Sequence, residues 1–128
     1  MADSKPLRLR LGRAARIKHR RDFSRLRQAG ERLVNGCIVA NWQRLPEEAA
    51  SRLGVITARR IGGAVARSRA RRLMREAFRL HQHDLTAPVD LILVARPSIA
   101  TKTFEAVERD LLTALRKGRL LNQARNDA

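Results

Sequence analysis

The segment Arg67-Ser68-Arg69-Ala70-Arg71-Arg72-Leu73-Met74-Arg75-Glu76-Ala77-Phe78-Arg79 concentrates six guanidinium groups against one carboxylate. At the α-helical advance of about 100° per residue, Arg67, Arg71, Arg72, Arg75 and Arg79 share one side. Ala66, Ala70, Leu73, Met74, Ala77 and Leu80 share the other, with Phe78 close by and Arg69 on the border. Arg67/Arg71 and Arg71/Arg75 are like-charge pairs one turn apart, each costing a few tenths of a kcal/mol. Glu76 can relieve Arg72 and Arg79, but no acid lies within 67–75. Phosphate oxygens along this side would convert the repulsion into charge-assisted hydrogen bonds, often bidentate. The chemistry these residues suit is therefore the grip of a polyanion.

Residues that could do other chemistry are poorly placed for it. His81 and His83 are two apart, which puts them on different faces of a helix, and no Cys or acid cluster joins them. His19 lies among basic residues with no general-base partner. Asp84 and Asp90 have no third acid at a spacing that would hold two metal ions. Cys37 has no paired His and reads as an ordinary strand residue. Gly62-Gly63 precedes a helix, but no GK[ST] or GxGxxG accompanies it, so it reads as a turn. Trp42, Phe78 and Phe104 read as core. No catalytic residue and no metal or cofactor site of the protein's own is expected.

The charge is placed as well as abundant. The 128 residues hold 28 Lys+Arg and 12 Asp+Glu, a formal net charge of +16, and 24 of the basic residues are Arg. Residues 1–30 carry ten basic and two acidic side chains, and residues 52–79 carry nine and one. The other two stretches, 31–51 and 80–128, are nearly neutral. A chain tuned only for solubility would intersperse its signs; two basic blocks predict one binding surface, or two close together. A DNA reader is disfavoured, because the arginine helix has hardly any Asn or Gln to read bases and no helix-turn-helix spacing surrounds it. The length suits one domain with its own core. No run approaches the ~20 apolar residues of a membrane span, and no secretory signal opens the chain. The lone cysteine fits a reducing cytoplasm.

The elements that must position the arginines can be read coarsely. Residues 1–15 read as a flexible basic arm, 16–121 as a single domain and 122–128 as a frayed polar tail. A helix is predicted over Arg20–Ala29, stopped at Gly30. Gly36–Arg44 alternates as a strand, with Ile38, Ala40 and Trp42 on one face and Cys37, Val39 and Asn41 on the other. Arg52–Arg59 is a second strand, Ala64–His81 the arginine helix, and Val89–Ala95, almost unbroken apolar, a central strand. Thr103–Lys117 closes the domain, facing Phe104, Val107, Leu111 and Leu115 inward. The order is that of an α/β sandwich, with three or four strands covered by helices on one side and a right-handed crossover by default.

Arg59-Arg60-Ile61-Gly62-Gly63-Ala64-Val65-Ala66-Arg67-Ser68-Arg69, followed by Arg71-Arg72-Leu73-Met74-Arg75-Glu76-Ala77-Phe78-Arg79, resembles the signature of the bacterial ribonuclease P protein subunit. Arg16-Ile17-Lys18 before Asp22-Phe23 and Gly30, and Val94-Ala95-Arg96 before the last helix, extend the likeness over roughly residues 10–120. The resemblance implies an α+β sandwich of a mixed four-stranded sheet and three helices, with the arginine helix in a left-handed crossover, as in some ribosomal proteins. It implies binding to a catalytic RNA that uses magnesium ions to remove the 5′ leader of precursor tRNA. Carried over by position, Arg59, Arg60, Arg67, Ser68, Arg69, Arg71, Arg72 and Arg75 would meet the catalytic RNA. Arg16, Lys18, Phe23, Arg27, Cys37, Val39 and Asn41 would line a cleft for the single-stranded leader. This chain departs from the family in three places: Ser68 stands where the family has Asn, Arg27 where a second aromatic is frequent, and Asn41 where the first strand commonly carries a cleft aromatic. The competing reading is a general RNA-binding protein of ribosomal type, which size and charge also suit.

Overall fold

The structure is a computed structural model that describes residues 15–122. Its elements are α1 (Arg20–Ala29), β1 (Glu31–Asn35), β2 (Ile38–Arg44), β3 (Arg52–Ile56), α2 (Ala64–His81), β4 (Val89–Ala95) and α3 (Phe104–Lys117). Short 3₁₀ turns at Arg59–Ile61, Gln82–Asp84 and Pro97–Thr101 join them. The sheet order is β1-β2-β4-β3: β1, β2 and β4 pair antiparallel, and β3 runs parallel to β4. The expected mixed sheet with three helices is thus present. The arm and tail expected at 1–15 and 122–128 fall, but for Ala15 and Asn122, outside the described residues. Among the described residues no helix is long and apolar enough to cross a membrane.

Two strand boundaries differ from expectation. Residues 31–35 form an edge strand, and Gly36-Cys37 is the two-residue turn of a β1–β2 hairpin rather than the start of β2. Gly36 has φ +57, a value that glycine adopts at no steric cost. β3 ends at Ile56, not Arg59, because its neighbour β4 ends at Ala95 and Pro97 has no N–H to extend the ladder.

The sheet's two faces are unequal. Ile38, Ala40, Trp42, Leu53, Leu91 and Leu93 pack on one face against Met74, Ala77 and Phe78 of α2 and Val107, Leu111 and Leu115 of α3. Phe104 packs against this core half-buried. Thr103 caps α3, its Oγ1 accepting from the Ala106 N–H at 3.2 Å. Among the described residues, the opposite face carries α1 and the segment before it, through a small cluster of Ile17, Leu26 and Ile92 with Phe23, Ile56 and Val94 around it.

Leu26 is the one fully buried residue of α1, worth about 1.5–3 kcal/mol. An ion network supplements it. Asp90 of β4 is completely buried, and Arg52 of β3 forks onto it with Nε–Oδ1 at 2.9 Å and Nη2–Oδ2 at 2.7 Å. Arg25 of α1 donates to the same carboxylate at 2.8 Å, to Asp22 at 3.3 Å, and to the Gln43 amide oxygen of β2. Burial pushes the Asp90 carboxyl up, but the two guanidiniums outweigh it and hold the group below the usual carboxylate range.

Candidate RNA interfaces

The arginine helix does not turn its stripe straight away from the sheet. The buried side of α2 is Ala70, Met74, Ala77 and Phe78, while Leu80, expected inside, is 36% exposed. Burying Phe78 rolls the helix toward the arginines, so Arg67, Arg71 and Arg75 are half-buried along its flank and Arg72 is exposed. The flank faces the β3 edge. Arg71 donates to Thr57 Oγ1 at 2.7 Å and to Ser68 Oγ at 3.1 Å.

Arg16 joins this group rather than the cleft where it was expected. The chain before α1 bridges β3 at Arg16 and Leu53, with the Ile17 N–H donating to the Leu53 carbonyl at 2.8 Å. Successive side chains of that extended segment diverge. Ile17 enters the small core, and Arg16 lines a concavity of about 470 Å³ with Ser68, Arg71, Arg72, Arg75, Glu76 and Arg79. Burial, then the like charges of Arg16 and Arg71, push Arg75 below the ordinary guanidinium value. Glu76 is taken by Arg79 through two bonds, 3.0 and 2.6 Å, and no carboxylate among the described residues pairs with the rest of the stripe. A multivalent anion is the ligand this concavity fits. Arg69, the border residue, points elsewhere, donating to the Lys102 carbonyl at 2.6 Å and tying α2 to the start of α3.

A second basic surface lies on the α1 side of the sheet. Val34, Val39, Val94 and Ile56 are directly opposed across the four strands, so they share one face in one row. This row floors a groove of about 690 Å³ rimmed by Arg27, Arg32, Arg60 and Arg96. Asn41 lies one row over, half-buried, its Nδ2 donating to the Glu31 carbonyl at 3.3 Å. At the Ile56 end the row runs into a shallower depression lined by Lys18, Arg20 and Phe23. Phe23 is the only one of the chain's four aromatic rings on this face; Trp42, Phe78 and Phe104 pack on the other. The surface can hold an extended chain with apolar faces and anionic linkers.

The residues expected in the cleft are thus divided. Lys18, Phe23, Arg27, Val39 and Asn41 line the groove and its extension, whereas Cys37 does not. Cys37 is fully buried, because the turn at Gly36 breaks the two-residue alternation and carries it beneath α3. Its N–H donates to Asp110 Oδ2 at 3.0 Å, and burial followed by the Asp110 carboxylate pushes its thiol up to about 12. Arg60, expected beside the arginine helix, lines the groove, and Arg59 is exposed on the same turn. Arg32, Val34 and Arg96 belong to the groove and were not expected there; the two-residue turn at Gly36-Cys37 places Arg32 and Val34 opposite Asn41 and Val39. Arg96 is braced by donating to the Gly36 carbonyl at 2.9 Å.

Elsewhere, His81 sits between Glu108 at 2.8 Å and Asp84 at 3.5 Å at the end of α2. Among the described residues no three His, Cys, Asp or Glu side chains are grouped to hold a metal ion.

The chain is similar in sequence and fold to known proteins. A family profile described as Ribonuclease P matches residues 11–119. The ribonuclease P protein component of Brevibacillus brevis is 33% identical over 112 residues, covering 88% of this chain and 89% of that protein. That of Desulfatibacillum aliphaticivorans is 40% identical over 81 residues, 63% of this chain and 68% of the other. Among solved structures, the RNase P protein of Staphylococcus aureus superposes with a TM-score of 0.78 at 28% identity, over 86% of this chain and 100% of that one. The RNase P protein of Thermotoga maritima gives 0.72 at 27% identity, over 80% and 96%. The chain belongs to the ribonuclease P protein family.

Proposed function

We propose that this chain is the protein subunit of a ribonuclease P, the endoribonuclease that removes the 5′ leader from precursor tRNA. Its partners are a catalytic RNA and the precursor itself, and it works in the cytoplasm. The observation that carries the reading is the presence of two basic surfaces of different character on one small domain. The concavity of Arg16, Ser68, Arg71, Arg72 and Arg75 is crowded, concave and without an apolar floor, as suits the phosphates of a folded RNA. The groove over Val39 and Val94 has an apolar floor and an arginine rim, as suits a single strand whose bases lie inward and phosphates outward. With one aromatic ring available for stacking, the rim arginines carry more of the leader affinity than stacking does.

In this mechanism the protein contributes no reacting group. It docks on the catalytic RNA through α2 and holds the leader along the sheet, and the RNA holds the magnesium ions that promote hydrolysis. Cleavage of a 5′-extended precursor tRNA at low millimolar magnesium tests this, with the protein alone, a bacterial catalytic RNA alone, and both together. The expected result is efficient cutting at the mature 5′ end only in the mixture. A protein that adds nothing to a correctly folded cognate RNA would instead be a general RNA binder, and cutting by RNA-free protein would place an active site on the chain itself.

A further inference from the structure

We propose that Asp90 is a positioning residue for leader recognition: through Arg25 it fixes where α1 stands on the sheet and so sets the width of the groove. The inference rests on the reading that the groove takes the leader.

Asp90 is the one buried charged or polar side chain among the described residues, on a strand that is otherwise apolar. An apolar residue there would avoid the desolvation of a carboxylate, so stability alone does not account for an acid. What the carboxylate provides is direction. Arg52 locks it from β3 with a two-point fork, which leaves Oδ2 as a fixed acceptor for Arg25 of α1. Leu26 is the one fully buried apolar anchor of α1, and Phe23 beside it is only partly buried, so the apolar contacts of this ten-residue helix lie close together and leave its tilt to be set by others. Arg25 supplies the second fixed point, because it also reaches Asp22 and the Gln43 amide. Phe23 and Arg27, the groove residues of α1, stand two positions to either side of Arg25, so they move with it.

The test uses the full chain assembled with its catalytic RNA. D90N and R25A are compared with the unaltered protein for binding of leader-bearing precursor against mature tRNA, and for affinity toward the catalytic RNA alone. R27A, which alters the groove rim outside the network, reports on the groove reading itself. Spin labels at Ser24→Cys and Ser98→Cys, both exposed, measure the distance from α1 to the Pro97–Thr101 turn; the buried Cys37 stays unlabelled. D90N and R25A are each expected to lower the preference for precursor by roughly three- to thirtyfold, the range for residues that couple through a packed network. The double variant should be no worse than either, the label distances should broaden, and affinity for the catalytic RNA should hold. If D90N does not fold, R25A carries the test, since Arg25 lies at the surface. Loss of preference in R27A but not in R25A or D90N overturns the positioning role and leaves the groove reading standing. No loss in any of the three overturns both, and unchanged label distances in R25A overturn the positioning role by themselves.

Discussion

The ring of Phe23 lies directly on the α-carbon of Gly54, so close that a Cβ at Gly54 would meet its Cε1 and Cζ at 3.1 Å. This close packing of α1 on β3 limits how far Phe23 can sink toward the sheet beside Ile56, at the end of the groove. Gly54→Ala should push the ring outward, costing about 1–2 kcal/mol of stability in thermal or denaturant unfolding. Phe23→Ala should cost about 2 kcal/mol, less than a fully buried Phe. Both variants should weaken binding of precursor relative to mature tRNA while sparing affinity for the catalytic RNA. Equal weakening toward both tRNAs would remove Phe23 from the leader site.

The arginine concavity predicts a salt signature. Arg71→Ala and Arg75→Ala should each weaken binding to the catalytic RNA by about 1–2 kcal/mol, and each should flatten the plot of log K against log salt by about one ion. Arg69→Ala should lower the salt slope least, because its guanidinium is spent partly on the Lys102 carbonyl. Its loss should appear instead in the unfolding midpoint. A salt slope unchanged in Arg71→Ala would take that flank of α2 out of the interface.

The long amphipathic elements were legible because their periods are sustained. α2 and α3 match their predicted spans to within a residue, and β4 reads as central because burial on both faces demands a nearly continuous apolar run, which Asp90 alone interrupts. β1 is illegible by pattern: of Glu31-Arg32-Leu33-Val34-Asn35, only two are apolar and they are adjacent, as befits an edge strand whose groove face pairs rim Arg32 with floor Val34. The burial of Cys37 follows from the hairpin turn, which a continuous strand over 36–44 hides. The partners of Asp90 lie 38 and 65 positions away in sequence, so only the register of β3 and the docking of α1 bring them together. For the same reason Arg16 and Arg60 exchange the sides that their neighbours in sequence suggest. The residue types of both basic surfaces were readable; their division between two faces required the sheet.

The hairpin tip predicts a strong coupling. Gly36 has φ +57, and a Cβ there would stand 2.1 Å from Asp110 Oδ2. Gly36→Ala should therefore destabilise by about 3 kcal/mol or more, combining backbone strain with that clash. Asp110→Ala alone removes the acceptor of the Cys37 N–H, at a cost of about 1–3 kcal/mol. Because the second substitution also clears the clash, the double variant should fall short of additivity by more than about 1 kcal/mol in denaturant unfolding. Strict additivity would mean that the Asp110 carboxylate does not press on the turn.

Cys37 makes the alkaline limb of stability measurable. Its thiol is pushed from 9.0 to about 12 in the folded protein, by burial first and the Asp110 carboxylate second. The folded state thus keeps a proton that the unfolded chain releases, so this contribution is complete below the unfolded value and is lost as pH rises toward the folded one. Each pH unit crossed within that window should remove at most about 1.4 kcal/mol. Other groups also titrate there, so the informative quantity is the stability difference between the unaltered protein and Cys37→Ala. It should be constant below about pH 8 and shrink steadily above about pH 9. The same burial predicts that iodoacetamide modifies Cys37 quickly in denaturant and slowly in the native protein. A difference independent of pH, or fast native alkylation, would place the thiol at the surface, on the groove face where strand alternation alone would put it.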